Sequence, residues 1–369
     1  MSIKKSTKII IVAGILACIL LCIVGYAYSF AVFSFPKNRS EDMAKERFNS
    51  FYSQPENSLD AVIIGSSSVD RYWIPSLAYQ NYGIAVYGLS SGNQPAVFAK
   101  YLIKEVEKTQ DVDVYLIDIR GMIRSSGSTK ELDVRRVTDN LRMSPNRYNA
   151  VKAALDYLEQ GETTKVNTDD RSYYIPQLKY YPELKEKGLI KEYIAEPRPE
   201  SEFLGYFAYN SSTYKKSKQK PTATTSKTTE IAEANQEVLN DLLDYCDTLD
   251  AEVLFITSPQ KVSKDRQQKY NYVFKVIEDR GYETINFNTS KMYKKLKWDF
   301  KNDLYNSGHA NIWGAVKYTN YLGKYLQEKY ELPDHRGYDS NKYTDFVEAH
   351  EALIEEVTEH NPKLEKLLD

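Results

Sequence analysis

Residues Ile9 to Tyr28, IIIVAGILACILLCIVGYAY, carry no charge and are almost wholly apolar, and the run continues through Phe35. About 20 residues rising 1.5 Å each cover the ~30 Å hydrocarbon core of a bilayer, so the segment reads as a transmembrane helix. Lys4, Lys5 and Lys8 precede it. Cations gather on the cytoplasmic side of a span, which puts the N-terminus in the cytoplasm and the chain beyond about Phe35 outside it. A cleaved signal peptide would have a shorter apolar region, ~7–15 residues, and a small-residue cleavage site. No such site is visible, and Leu16 and Ala17 suit a lipoprotein cleavage at Cys18 poorly. The expectation is an uncleaved anchor with a cytoplasmic stub over residues 1–36. No second run of this kind follows, which argues against a channel or transporter.

Composition narrows what the exported part can do. The 369 residues hold 49 Lys+Arg against 51 Asp+Glu, a net charge of −2, without the basic excess of a nucleic-acid binder. Of three cysteines, Cys18 and Cys22 lie in the apolar run and only Cys246 remains, so paired-cysteine zinc sites and iron–sulfur clusters are excluded. Histidines stand only at 309, 335, 350 and 360, which leaves little for a metal site. Tyrosine is in surplus, 31 residues against 13 Phe and 3 Trp, which suits a wet, aromatic-lined surface better than a larger core.

Residues 37–58 are mixed-charge and Ser/Asn-rich, the pattern of a stalk. From 59 to 333 short apolar runs alternate with helical periodicity. DAVIIGSSSVD (60–70) reads as a buried strand entering a tight turn, IAVYGLSSG (84–92) as a second strand, and VDVYLIDIR (112–120) as a third. A helical pattern, QPAVFAKYLIKEVEK (94–108), lies between the last two, and helices over 229–249 and 262–280 precede strands at 251–259 and 282–288. A last helix occupies 311–330. The alternation predicts an α/β fold, a three-layer α/β/α sandwich around a parallel sheet. In such sheets ligands bind beyond the carboxyl ends of the strands.

The stretch 121–228 interrupts the pattern with helices over 131–159, then tyrosines at 173, 174, 180, 181, 193, 206, 209 and 214, then a Ser/Thr/Lys-rich loop at 211–229. It reads as an insertion, either a lid or partner surface over the sheet or an ordinary packed subdomain. Residues 334–369 form an acidic, amphipathic helical tail, solvated or docked.

Two motifs carry chemistry. In GSSS (65–68) a serine just after a strand-terminal glycine can present its Oγ at the sheet edge; equally, Ser66, Ser67 and Ser68 can cap a helix. In NDLYNSGHANIWGA (302–315), His309 stands on a polar turn before the last helix, with Asp303 six residues before it and Asn306 three before. A nucleophilic serine needs a base within hydrogen-bond reach, and the base needs an orienting acceptor. Arg120 and Arg124, just past the third strand, can bind a phosphate or carboxylate of a substrate, or simply be solvated.

The strand-GSS and D-x-x-x-x-x-H-x-N-x-x-G-A motifs together resemble the SGNH (GDSL-like) hydrolase superfamily. The closer resemblance is to its membrane-anchored branch, which includes the D-alanyl transfer protein DltD and polysaccharide O-acetylation proteins. The likeness spans roughly 59–125 and 230–330, with a diffuse echo in RRVTDNLRMSPNR (135–147). It implies Ser67 as nucleophile and His309 as base, and no cofactor or metal. It also implies a multi-pass membrane O-acyltransferase of the MBOAT type as partner.

Two departures stand out. Asn306 takes the place of the usual Asp, so Asp303 substitutes for it, or Ser67 and His309 act as a slow dyad, or the site is degenerate. The GxND block after the third strand is missing, which leaves the Ser67 amide with Gly88, Gly92 or Asn93 as oxyanion donors, Gly92 and Asn93 preferred. The expected function is an exported serine acyltransferase or esterase acting on acetyl or D-alanyl esters of a cell-envelope polysaccharide or teichoic-type polymer. The alternatives are a catalytically degenerate assembly or glycan-binding subunit on the same scaffold and, third, a free esterase.

Overall fold

The structure is a computed structural model that describes residues 5–35, 43–161, 166–208, 211–221, 224–337 and 340–368. Lys4, the first part of the expected stalk (37–42) and Tyr209 lie outside the described residues. The chain divides into two units, one of Met1–Pro36 with Asp170–Arg198, the other of Lys37–Asp169 with Pro199–Asp369.

The smaller unit is built on a 28-residue helix, Lys5–Val32. Its most apolar 18-residue window has a mean hydropathy of 3.0, and the stretch Thr7–Val32 is long and apolar enough to cross a membrane. Two short helices, Gln177–Glu186 and Ile190–Ala195, accompany it, and Tyr180, Leu184 and Tyr193 form an apolar cluster with its last residue, Val32. Between them Gly188 takes a left-handed φ of 70° and the Leu189 amide returns to the Leu184 carbonyl, a turn geometry that a side chain at 188 would strain.

The larger unit is an α/β structure around a five-stranded, all-parallel sheet ordered β2-β1-β3-β4-β5. The strands are β1 (Ala61–Gly65), β2 (Val86–Ser90), β3 (Val114–Asp118), β4 (Glu252–Thr257) and β5 (Glu283–Asn286), each where the sequence predicts one. The central runs AVIIG and VYLID are buried at every position, as strands covered on both faces must be. In β5 at the edge, only Ile285 is buried. Register is set by Ala61 opposite both Val86 and Val114, and by Leu254 opposite Glu283.

The helices follow their apolar spacing. Leu239, Leu242, Leu243 and Cys246 bury one face of Glu233–Cys246, and Tyr270, Val273, Phe274 and Ile277 one face of Lys264–Asp279. The last of the alternating helices, Ile312–Tyr330, is capped by Asn311, whose side-chain oxygen accepts from the Gly314 amide at 3.2 Å. A Cβ at Gly314 would stand 2.2 Å from the Asp303 carbonyl oxygen, so glycine there lets the helix press against the loop that carries His309.

Packing defines three segments more closely than the sequence reading does. The described part of the expected stalk is not a solvated spacer: helix Ala44–Ser53 buries Phe48, Phe51 and Arg47 and packs on β2. The tail docks, its helix Thr344–His360 burying Phe346, Ala349, Leu353 and Val357 and packing on helix Pro75–Tyr82. The insertion belongs to both units. Its helices Glu131–Thr138 and Pro145–Glu159 stay with the sheet, whereas 170–198 join the apolar helix. Its tyrosines are largely interior: Tyr173, Tyr180, Tyr193 and Tyr206 are buried, not displayed as a stacking surface.

Candidate active site

The strand order reverses its direction of winding between β1 and β3, since β2 lies to one side of β1 and β3, β4 and β5 to the other. The crevice beyond the carboxyl ends of these two strands is where a parallel sheet has room for a ligand. β1 ends there in Gly65. A Cβ on it would meet the Asp118 Cβ at 2.7 Å and Val69 Cγ2 at 2.8 Å, so only glycine lets the two strand ends close up.

The three serines that follow have separate fates. Ser66 and Ser68 are buried, with their hydroxyls 3.0 Å apart, and Ser68 donates to Asp118 Oδ1 at 2.8 Å. Burial raises the Asp118 carboxyl above its ordinary value. Ser67, first residue of the one-turn helix Ser67–Asp70, remains half-exposed. Its Oγ lies 2.8 Å from His309 Nε2.

His309 is held by a narrow loop. The Tyr305 amide donates to the His309 carbonyl at 3.1 Å, and Leu304 and Ala310 form an antiparallel bridge. The Gly308 carbonyl accepts from Arg120 Nη1 at 2.9 Å and from the Tyr72 hydroxyl at 3.2 Å. The Tyr305 ring stacks on the imidazole, centroids 5.5 Å apart.

On the far side of the ring, Asn306 Oδ1 lies 3.1 Å from His309 Nδ1 and accepts the Gly308 amide at 2.8 Å. That second contact fixes the tautomer. A backbone N–H can only donate, so the Asn306 atom it meets is the oxygen; the oxygen in turn requires a proton on Nδ1, which leaves Nε2 bare toward Ser67. Burial, with the Arg120 and Arg71 guanidiniums nearby, holds the imidazole pKa well below its usual value, so the ring is neutral at pH 7. A neutral ring with an unprotonated Nε2 against a serine hydroxyl has the polarity that proton abstraction requires.

The structure thus brings Ser67, His309 and Asn306 together and takes Asp303 elsewhere. Asp303 Oδ2 accepts from the Asp299 amide and from Lys317 Nζ, both at 2.7 Å, joining the loop to the last helix. Arg120 points into this region, but toward the Gly308 carbonyl. Arg124 cross-links backbone, donating to the Asn93 carbonyl at 2.8 Å and the Ser128 carbonyl at 3.3 Å. Gly92 and Asn93 lie on the loop after β2, beside Gly65 through a 3.4 Å bond from the Ser91 amide. Their carbonyls are held by Arg136 and Arg124, and Asn93 has a left-handed φ of 55°.

Sequence reasoning missed the support beneath Ser67. Arg47 Nη2 meets Asp70 Oδ2 at 2.7 Å, and both side chains are almost fully buried. The same guanidinium donates to the carbonyls of Ser90 (2.8 Å) and Gly205 (3.0 Å). Next to it the Arg71 guanidinium lies 3.1 Å above the Phe207 ring. The partners are distant in sequence and no local pattern pairs them. Among the described residues no group of three or more His, Cys, Asp or Glu is placed to hold a metal ion. Compared with known protein families, curated proteins and solved structures, the chain gives no match in any of the three.

Proposed function

We propose that the chain is a membrane-anchored serine acyltransferase or esterase of the SGNH type. In this reading the N-terminus is cytoplasmic and the α/β unit, a three-layer α/β/α sandwich, lies outside the membrane. The observation that carries the proposal is the 2.8 Å contact between Ser67 Oγ and a neutral His309 Nε2, at the carboxyl end of β1.

Ser67 Oγ attacks the carbonyl carbon of an acyl ester as His309 Nε2 takes its proton. The tetrahedral oxyanion is met by the Ser67 amide with Gly92 and Asn93. Collapse expels the alcohol, which takes the proton back from Nε2 and leaves an acyl-serine. A hydroxyl of a cell-envelope polysaccharide or teichoic-type polymer, or water, then attacks the acyl carbon as His309 takes its proton. The bond to Ser67 Oγ breaks, the serine recovering the proton from Nε2 as the new ester or the free acid leaves. Acetyl and D-alanyl groups suit this chemistry, and a multi-pass O-acyltransferase would supply the acyl group from the other side of the membrane.

Asn306 sets the rate. In a Ser-His-Asp site, replacing Asp by Asn costs about 10⁴, partly because the amide selects the wrong tautomer. Here the Gly308 amide removes that fault, and the remaining deficit is the imidazolium, which Asn306 does not stabilise as a carboxylate would. The same residue favours a second reading, a catalytically degenerate scaffold that binds glycan or organises an envelope-modifying complex. Hydrolysis of a small activated acetyl ester by the full chain in detergent separates the two. Turnover lost in both Ser67→Ala and His309→Ala supports the enzyme. Wild type that matches Ser67→Ala, with activity appearing in Asn306→Asp, supports the degenerate scaffold.

A further inference from the structure

The smaller unit has an apolar face that its own packing leaves uncovered. Helix Gln177–Glu186 turns Tyr180 and Leu184 toward Val32. Leu178 and Tyr181, with Ile175 just before the helix, share the other side at a spacing of three residues. They are 58%, 43% and 40% exposed, and Ile194 on the next helix is 46% exposed.

The height of this face is fixed by contacts to the end of the long apolar helix. Tyr28 Oη donates to the Ile194 carbonyl at 3.3 Å, Gln177 Nε2 donates to Ser29 Oγ at 3.2 Å, and the Phe33 and Tyr181 rings meet edge to face at 5.1 Å. The 26 residues of Thr7–Val32 measure about 39 Å against a ~30 Å hydrocarbon core. One end of the helix therefore emerges into the headgroup layer. At the non-cytoplasmic end it brings the exposed Tyr26 and Tyr28, residues of the type that favours that layer. Lys185 Nζ lies 6.0 Å from the Tyr181 ring centroid, so a cationic head stands beside the apolar side chains as on helices that lie in an interface, while Lys187, paired with Glu183 at 2.7 Å, marks the polar side.

We propose that residues 170–198 are an interfacial element, lying in the outer headgroup layer where the long helix emerges, with Ile175, Leu178, Tyr181 and Ile194 facing lipid. The partner is the bilayer itself, because the face continues the surface of the helix proposed to span it. The inference rests on that spanning helix.

The test uses the full chain with Cys18→Ser and Cys22→Ser, in vesicles of phosphatidylcholine and phosphatidylglycerol. A polarity-sensitive NBD label is placed in turn at Leu178→Cys, Tyr181→Cys, Gly14→Cys in mid-helix and Lys187→Cys on the polar side. Labels at 178 and 181 should emit at shorter wavelength than at 187. Lipid with a nitroxide at acyl carbon 5 should quench them several-fold more strongly than 187, and iodide should reach them several-fold less. The label at 14 should respond to a nitroxide at carbon 12. If 178 and 181 behave like 187 while 14 responds to the deep nitroxide, the interfacial element is refuted and the span stands. If 14 escapes both nitroxides, the span falls and the inference with it. Labels at 178 and 181 that are shielded from iodide but untouched by either nitroxide would mean that protein covers the face, which also overturns the proposal.

Discussion

The two ends of β1 use nearly the same parts. Just before the strand, Asp60 Oδ1 lies 2.8 Å from His335 Nε2, Asp60 Oδ2 accepts the Ala85 amide at 2.7 Å, and Tyr343 stacks on the imidazole. Just after it, His309 stacks on Tyr305 and faces Asn306. The carboxylate that a catalytic histidine would normally have is thus present, but at the other end of the strand, and no serine hydroxyl among the described residues is hydrogen-bonded to that ring. Among the described residues, His335 is paired with an acid, whereas His309 is paired with a serine and an amide. A histidine with a well-oriented acceptor is therefore not by itself a reactive centre. What distinguishes the Ser67 end is a half-exposed hydroxyl against an unprotonated ring nitrogen, in the crevice between β1 and β3.

The largest effect should come from breaking the reactive end. Ser67→Ala or His309→Ala should lower ester turnover by about 10³-fold or more, measured as initial rates, while Asp60→Asn and His335→Ala leave the rate near wild type. Loss of rate in the latter pair would show that the two ends are not independent. Next in size is the support under Ser67: Arg47→Met removes the 2.7 Å contact to Asp70 and leaves that carboxylate with Arg71 at 4.0 Å, while Asp70→Asn removes the carboxylate that faces Arg47. Each breaks a buried ion pair and should cost up to about 3 kcal/mol by denaturant unfolding.

Asn306→Asp gives the reactive end the acid it lacks. An adjacent carboxylate raises a histidine pKa by about 1–3 units, so turnover at neutral pH should rise about ten- to hundredfold if proton transfer limits the rate. The pH profile checks this with a definite sign. In the wild type the competent form is the neutral ring, whose pKa is depressed, so activity should persist as pH falls through ~6.5 and fail only well below. In Asn306→Asp the acid limb should move upward. A wild-type limb at the ordinary histidine value would contradict the buried, cation-flanked environment. The smallest effect is expected from Asp303→Asn, which weakens the Lys317 contact by roughly 1 kcal/mol and should change stability more than rate.

Much of this was legible because parallel strands announce themselves. AVII, VYLI and VLFI are unbroken apolar runs, Ser67 stands at the turn where β1 delivers it, and His309 on the polar loop just before the last helix. The orienter was not legible: spacing allowed Asp303 or Asn306, and the choice depends on a bridge between Leu304 and Ala310 and a glycine at 314 that pull Asp303 toward the last helix. Helix 44–53 was hidden because Lys45, Glu46 and Arg47 read as a solvated surface, yet all three are buried. The tyrosines of the insertion misled in the opposite sense, their polar tips suggesting water while most of their rings are interior.

The Arg47 contacts also decide where a soluble version of the larger unit can begin. A fragment cut at residue 59, where the apolar alternation starts, would lose the guanidinium that neutralises Asp70 and caps the Ser90 and Gly205 carbonyls. It would also strip Phe48 and Phe51 from the flank of β2, opening an edge strand to self-association. Such a fragment would aggregate or lie silent for reasons unrelated to its chemistry. One that starts ahead of Met43, by contrast, keeps the turn bearing Ser67 on its original footing.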